Sequence, residues 1–452
     1  MDGQELLARL SGRAVELLDM CGRIAEERGE NAYLVGGSVR DLILGRGETD
    51  LDVVVEGEGM AVAQALARST GGTLTRHHVF QTARVDTRDG MRIDVATARS
   101  EDYPRPGQLP RVVAGSLQED LQRRDFTINT MAIALDPACH GELIDPEGGV
   151  EDLQAGMIRV LHSRSFADDP TRILRALRFV DRFGYPLEEQ TGQQLSDAVA
   201  GGYLEHVSGA RVRRELSYMF SESPVEGPLI LQEHGVLYAI HEGMAADRAF
   251  LELLTRNRAW YGEVVAQRGA AAEEEGEGRP RANNNAVVDP EWTLVLTSCA
   301  VGLAGQERWG LAGHLGLSRA ESEPLIESGT AWERAQREWT ERAGEGRRDA
   351  VVVDAIFSRL SVGTLLVQLS SPESSDDLQM QAALRDFLGQ TRWVTPSLRG
   401  GDLIEMGVPQ GPSVGQAMEL LRQARVEGSV VDDEGERRMI LEWLARPGQE
   451  PS

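Results

Sequence analysis

Lysine is absent from this chain: all 47 of its basic residues are arginine, set against 72 acids, for a net charge of −25. That absence excludes Schiff-base and lysyl-nucleotide intermediates, and also the phosphate-gripping lysine of a P-loop. The acidity excludes a surface coated for nonspecific nucleic-acid binding, because that affinity scales with local positive charge, yet it leaves room for a local basic groove. Cysteine is scarce. Cys21, Cys139 and Cys299 lie far apart, with neither metal-ligand spacing nor a paired framework, so a disulfide scaffold and cysteine chemistry are not expected. No run of about 18 apolar residues occurs, so no membrane-spanning helix is expected. The opening MDGQELLARLSGRAVELLDM reads as a mixed-charge amphipathic helix rather than a secretory leader, and the expectation is a cytoplasmic protein with no membrane partner.

What is present divides along the chain. At 452 residues, two to four folding units are expected. Residues 1–30 carry helical spacing, and from 31 to about 136 short strand patterns follow: YLV, DLDVVV, VFQTARVDT, MRIDVATA and MAIAL. Asp89-Gly90 marks a hairpin between two of them, and residues 60–69 (MAVAQALARS) read as an intervening helix, giving a mixed α+β head. Beyond about 150 the periodicity is helical almost throughout. Residues 267–290, small, acidic and Asn-rich with two prolines, read as a disordered insertion.

The chemistry concentrates in four places. In YLVGGSVRDLILGRGETDLDVVV, Gly36-Gly37-Ser38 turns the chain into a helix N-terminus with Arg40 one turn in, a setting suited to phosphate. Further on, Asp50 and Asp52 share one face of a strand, and paired carboxylates repel unless a divalent cation neutralises them; hard oxygens beside phosphate suit Mg²⁺. Asp94, on a later strand of the same sheet, is a candidate to complete that metal site. In RRDFTINTMA, Arg123 and Arg124 supply cations for a triphosphate, while Asp125 and Asn129 supply partners for ribose hydroxyls. In DDPTRILRALRFVDRFGY, Asp169 sits at an N-cap position and Pro170 at the first helical position. Ile173, Leu174, Leu177 and Val180 form one stripe there, and Arg172, Arg175, Arg178 and Arg182 form the opposite one, which in so acidic a chain calls for an anion to face.

Taken in order, Gly-Gly-x-Val-Arg-Asp, Asp-x-Asp, Arg-Arg-Asp-Phe-Thr-Ile-Asn and Asp-Pro-x-Arg-x-Leu-Arg-Ala-x-Arg-Phe resemble the class II tRNA nucleotidyltransferase and bacterial poly(A) polymerase family. SGARVRREL (208–216) resembles the family's arginine-to-glutamate helix, with Arg211 and Glu215 as structural or RNA-contacting residues, and GGDLIEMGVPQGPSVG (400–415) resembles its tRNA-associated tail. The resemblance implies a polymerase-β-like nucleotidyltransferase head with a mixed sheet (1–30 its N-terminal helix, 31–150 catalytic) and an all-α neck (151–245), body (246–395) and tail (396–452). It implies template-independent addition of CMP or AMP from CTP and ATP to a tRNA 3′ end, dependent on Mg²⁺. Asp50 and Asp52 would hold the metal, Gly37 and Arg40 would meet the triphosphate, Arg124, Arg175 and Arg178 the nucleotide, and Asp125 the ribose; Asp169 and Arg172 would select the base.

The sequence departs from the family pattern at Asp168, where glutamate is more usual, and at Gln81, where many members carry glycine. Residues 97–121 correspond to the loop region associated with switching from C to A. Full CCA addition, partial CC or A addition, polyadenylation and a non-catalytic RNA-binding module remain open at this point. The 22 arginines against 37 acids from residue 221 onward run counter to the basic extension usual in poly(A) polymerases.

Overall fold

The computed structural model describes residues 2–46, 51–77, 81–274, 290–344, 349–370 and 377–445. They divide into two compact units, Met1–Ile240 and His241–Ser452.

The first unit opens on α1 (Gly3–Leu7) and α2 (Gly12–Glu27). The expected single N-terminal helix is thus broken: the first segment ends at Leu7 with Ala8 as its C-cap, and Ser11 caps the second, its hydroxyl accepting from the Ala14 amide at 3.2 Å. There follow β1 (Asn31–Val35), α3 (Gly37–Ile43), β2 (Leu51–Glu56), α4 (Gly59–Thr70), β3 (Thr73–His77), β4 (Thr82–Asp86) and β5 (Arg92–Thr97). Next come a hairpin of β6 (Arg99–Asp102) and β7 (Arg111–Ala114), α5 (Leu117–Gln122), β8 (Ala132–Ala134) and β9 (Leu143–Ile144). The main sheet has the order β3-β4-β5-β2-β1-β8-β9 and is antiparallel except for the β2–β5 pair. The Asp89-Gly90 turn joins β4 to β5 as its residue types require, with Gly90 at φ +87°. The alternation expected of β2 holds for Leu51, Val53 and Val55, all buried, but Val54 on the Asp52 face is buried too, packed with Val35, Leu117, Leu121 and Ala132. The sheet is therefore covered on both faces at this point, and Asp52 stands at the edge of apolar packing rather than on a solvated face.

The helical part of the first unit is α6 (Gly149–Ala155), α7 (Ser165–Asp168), α8 (Thr171–Phe183), α9 (Glu189–Ala200), α10 (Gly209–Glu222), α11 (Glu226–Glu233) and α12 (Val236–Ile240). Gly184, in the left-handed region, ends α8. The expected division of α8 into an apolar and an arginine face is modified: Arg172 and Arg178 are buried along with Ile173 and Leu177. Neighbouring helices α10 and α11 pack on it, so its polar stripe is an internal surface.

The second unit is helical from Arg248 to Leu444 in its described residues. Residues 267–274, expected to be irregular, instead continue the helix Arg248–Glu274, since Ala270, Ala271, Ala272, Glu273 and Glu274 are strong helix formers. The remainder of that insertion, 275–289, lies outside the described residues. One core gathers around Trp339, Phe357 and Leu366, and another around Leu403, Leu421 and Ile440. Among the described residues no single helix is long and apolar enough to cross a membrane.

Glu436 ties the last segment together. Fully buried, its carboxylate accepts from the amides of Ser397 (2.9 Å) and Leu398 (2.8 Å) and from the Arg425 guanidinium. All seven tryptophans fall between 260 and 443, so indole fluorescence reports the second unit alone. Glu436→Ala leaves two amides and a cation unmatched and is expected to cost on the order of 3 kcal/mol. The expected outcome is an earlier fluorescence-detected urea transition, with the far-UV signal of the first unit unmoved.

Candidate active site

A cavity of about 650 Å³ in the first unit collects most of the residues singled out from the sequence: Gly37, Arg40, Asp52, Asp94, Arg123, Arg124, Asp125, Asn129, Asp169, Arg172 and Arg175 all line it. Asp50 lies outside the described residues. Asp52 and Asp94 are register partners on the parallel strands β2 and β5, so both carboxylates rise from one level of the sheet. Asp94 is gripped by Arg84, Nε to Oδ1 and Nη2 to Oδ2, both at 2.9 Å. Ser38 does not line the cavity; its hydroxyl accepts from the Asp52 amide at 3.1 Å, which ties the glycine turn to the acid-bearing strand.

Gly36 supplies a left-handed turn beside the end of the Arg124 side chain. It sits at φ +65°, and a Cβ there would come within 2.4 Å of Arg124 Nη1. The turn and the first arginine pair are thus in contact. Arg40, on α3, donates to Asn129 Oδ1 at 2.6 Å and pairs with Asp41 at 2.9 Å. Asn129 in turn donates to Asp125 Oδ1 at 2.8 Å.

Asp125 joins the strand-borne and helix-borne halves of the site. Its Oδ2 accepts from Arg175 Nε at 2.9 Å and Nη2 at 2.5 Å. Burial pushes this carboxyl up, but the charge of Arg175 and the hydrogen bonds from Asn129 and Arg175 outweigh it and hold Asp125 well below the usual carboxylate range. Arg175 is correspondingly raised by Asp125.

Arg123 and Arg124 reach the cavity already paired. Asp120, with no exposed surface, accepts from Arg123 Nε at 3.0 Å and Arg124 Nη2 at 2.9 Å; Arg123 Nη1 also donates to Glu101 at 3.0 Å. Burial raises Asp120, and Arg124 and Arg123 together reverse that, leaving it below its ordinary value. Sequence reasoning missed Asp120, Glu101, Tyr103 and Phe179. For Asp120 a signal existed, an acid three and four residues before two arginines at the end of a helix. Glu101 and Tyr103 had none, since they come from the β6 hairpin region and meet only in the fold, with the Tyr103 hydroxyl donating to Glu101 at 2.8 Å.

At the other end of the cavity α8 begins one residue later than expected, with Pro170 rather than Asp169 at its N-cap position; Asp169, one residue before, still accepts from the Thr171 amide through Oδ1 at 3.0 Å. Arg211 Nη2 lies 2.8 Å from both Asp169 oxygens. Arg172 donates to Ser165 Oγ at 2.7 Å and to the Arg123 carbonyl at 2.6 Å. Arg178 is not among the cavity-lining residues; it donates to Glu215 at 3.4 Å and Glu222 at 3.2 Å. Arg211 and Glu215, one turn apart on α10, thus hold side chains of opposite charge, Asp169 and Arg178. Gln81 has φ +50° and is the one non-glycine residue with positive φ among those described, consistent with a position where glycine is the easier choice.

Residues 32–159 match the poly A polymerase head domain. The A-adding tRNA nucleotidyltransferase of Geobacter sulfurreducens is 32% identical over 432 residues, covering 94% of this chain and 47% of that protein. The chain therefore spans about half the length of this relative, and 51% of a second A-adding relative from Halalkalibacterium halodurans. Among solved structures, an apo form of a CCA-adding enzyme aligns with TM-score 0.70 at 30% identity, over 98% of this chain and 99% of that one. A Thermotoga maritima CCA-adding enzyme complexed with tRNA aligns with TM-score 0.63 at 30% identity, over 98% and 99%.

A carboxyl held low in the folded state contributes stability that is complete above its unfolded pKa, near 4, and is lost as pH falls toward the folded value. Asp125→Asn is accordingly expected to be less stable than the parent at pH 7, on the order of 2–3 kcal/mol. The difference should shrink steadily below about pH 4. Urea titrations of both proteins followed by far-UV circular dichroism check this, and a difference independent of pH would refute the assignment.

Proposed function

We propose that this chain, which belongs to the class II tRNA nucleotidyltransferase family, adds CMP, AMP or both from CTP and ATP to the 3′ end of tRNA without a nucleic-acid template. The observation that carries the reading is the sharing of one cavity by acids and an arginine suited to phosphoryl transfer, Asp52, Asp94 and Arg40, and an acid–guanidinium pair suited to reading a base edge, Asp169 and Arg172.

The residues set an order along the cavity. Asp169 accepts from the exocyclic amine of cytosine or adenine, while Arg172, with two of its guanidinium nitrogens engaged by Ser165 and the Arg123 carbonyl, retains N–H groups for an adjacent ring acceptor. Uracil and guanine present a carbonyl in place of that amine, so that two oxygens face each other and one hydrogen bond is lost, at a cost of a few kcal/mol in a desolvated site. Asp125, held by Arg175 and Asn129, meets the ribose hydroxyls. Gly37 and Arg40 receive the phosphates, with Arg123 and Arg124 alongside. Arg178 acts one step removed, through the charge network with Glu215.

The family is normally metal-dependent, and the hard carboxylate oxygens of Asp52, beside its register partner Asp94, which Arg84 holds, are the donor type Mg²⁺ takes. Asp52 and Asp50 would hold it, with Asp94 in support. When bound, Mg²⁺ supplies Lewis-acid polarisation of the α-phosphate and neutralises charge on the leaving oxygen. The protein's own part is positioning: the primer 3′-oxygen attacks the α-phosphorus, the α–β bond breaks, and pyrophosphate leaves.

The tail, with its helices Gly400–Glu405 and Pro412–Glu427, is the segment we assign to tRNA binding, and the cytoplasm is the matching location. Addition of A alone is favoured among the partial specificities because both Geobacter and Halalkalibacterium relatives are A-adding enzymes.

Incubation with tRNAs ending before C74, at C74 and at C75, with CTP and ATP supplied separately, separates the products at one-nucleotide resolution. Extension only of the C75-ended tRNA by ATP establishes the A-adding form, and a long A tail on a non-tRNA primer overturns the tRNA assignment. Asp52→Ala is expected to reduce incorporation by about three orders of magnitude or more, because positioning and charge neutralisation supply most of the acceleration. Binding of tRNA by this variant, read by filter retention, should persist.

A further inference from the structure

Beyond the cavity, α8 continues for one turn past Phe179, and there three guanidinium groups converge on a single ring. Arg40 Cζ lies 4.9 Å from the centroid of Phe183, Arg46 Cζ 4.7 Å and Arg182 Cζ 5.6 Å. Phe183 stacks on the cavity-lining Phe179 with centroids 5.6 Å apart, so the cluster is continuous with the site. Arg40 is neutralised by Asp41. Arg46 and Arg182 are exposed and, among the described residues, carry no hydrogen bond or ion pair from their side chains. The other arginines of α8 differ: Arg172, Arg175 and Arg178 are all held by hydrogen bonds or ion pairs.

Stacking on an aromatic face fixes a guanidinium while leaving its N–H donors available to an acceptor. With Arg40 neutralised, the like charges of Arg46 and Arg182 on one ring repel, and an anion seated between them removes that repulsion. The order of the site says which anion. Arg172 is at the base end, Arg175 at the ribose acid Asp125, and Arg40 at the phosphates; Arg182 stands about 10 Å beyond Arg175 along the helix, at 1.5 Å per residue. The direction from base to ribose to phosphate therefore points from the cavity onto Phe183.

We propose that Arg46 and Arg182, stacked on Phe183, form a diphosphate-binding ledge that receives the pyrophosphate leaving group. This rests on the nucleotidyl-transfer reading above. The ledge holds the product as it departs, which makes these two arginines determinants of product release and of inhibition by pyrophosphate, with no part in base choice.

The test uses the full chain, inorganic pyrophosphate with Mg²⁺, and the double variant Arg46→Gln/Arg182→Gln. Calorimetric titration is expected to show about tenfold weaker pyrophosphate binding in the variant, the loss typical of charge-assisted contacts at a partly exposed site. Inhibition of nucleotide addition by pyrophosphate should weaken by about the same factor, with discrimination against UTP and GTP and the KM for tRNA unchanged. Phe183→Leu, which removes the stacking surface and keeps both charges, should give an intermediate loss. Unchanged pyrophosphate affinity in the double variant overturns the ledge, and so does a raised KM for tRNA with unchanged pyrophosphate affinity, which would give the arginines to the RNA backbone. If the parent protein adds no nucleotide to any tRNA, the transfer reading fails, and the ledge is then decided by the pyrophosphate titration alone.

Discussion

The ion pair between Asp125 and Arg175 is the contact on which the rest of the site depends. Asp125 belongs to the segment that leads into β8, and Arg175 belongs to α8; they are fifty positions apart in the chain, and a two-donor contact fixes one against the other. On the Asp125 side the network continues through Asn129 to Arg40 and the glycine turn. From Arg175 it runs to Glu215 at 3.8 Å, and from there to Arg178. Sheet and helix are therefore registered by a chain of charge-assisted bonds rather than by apolar packing alone, and the geometry across the cavity is held by side chains with few alternative arrangements.

A buried charge is tolerable only when matched, and removing one partner is costlier than never having the pair. The site obeys this at each step: Asp120 takes Arg123 and Arg124, Glu215 takes Arg178, and Arg211 takes Asp169. Exclusive use of arginine has a structural consequence here. A guanidinium offers five donors in a planar fork, so Arg175 can grip Asp125 with two nitrogens and still lie 5.7 Å from the Phe179 ring centroid. An ammonium could not serve both contacts with the same orientation. Arg123 and Arg124 reach the cavity pre-oriented by Asp120 and Glu101, which lowers the ordering cost of binding a polyanion.

Much of this was legible in the sequence, for identifiable reasons. Period-two alternation placed Leu51, Val53 and Val55 in the core and Asp52 facing away from them, and Asp89-Gly90 announced its hairpin. Local capping chemistry placed Asp169 at the start of α8. What escaped was non-local. The arginine stripe of α8 reads as a surface face in one dimension, because periodicity says which residues share a side and nothing of what covers it; α10 and α11 cover it, and Arg172 and Arg178 become interior residues. Glu101 and Tyr103 were invisible because a two-stranded hairpin brings them to the cavity. The helix running to Glu274 was missed because its alanines and glutamates were weighed as low-complexity composition rather than as helix formers.

The central claim is that side chains, in place of a nucleic-acid template, choose the base, and Asp169 carries it. The most direct measurement is the rate of incorporation of each of the four nucleoside triphosphates into a tRNA acceptor by the parent protein and by Asp169→Ala. The account predicts that the variant loses discrimination against UTP and GTP by roughly one to two orders of magnitude, the scale of one hydrogen bond to a charged group. Discrimination that is unchanged in a folded, active variant would contradict it.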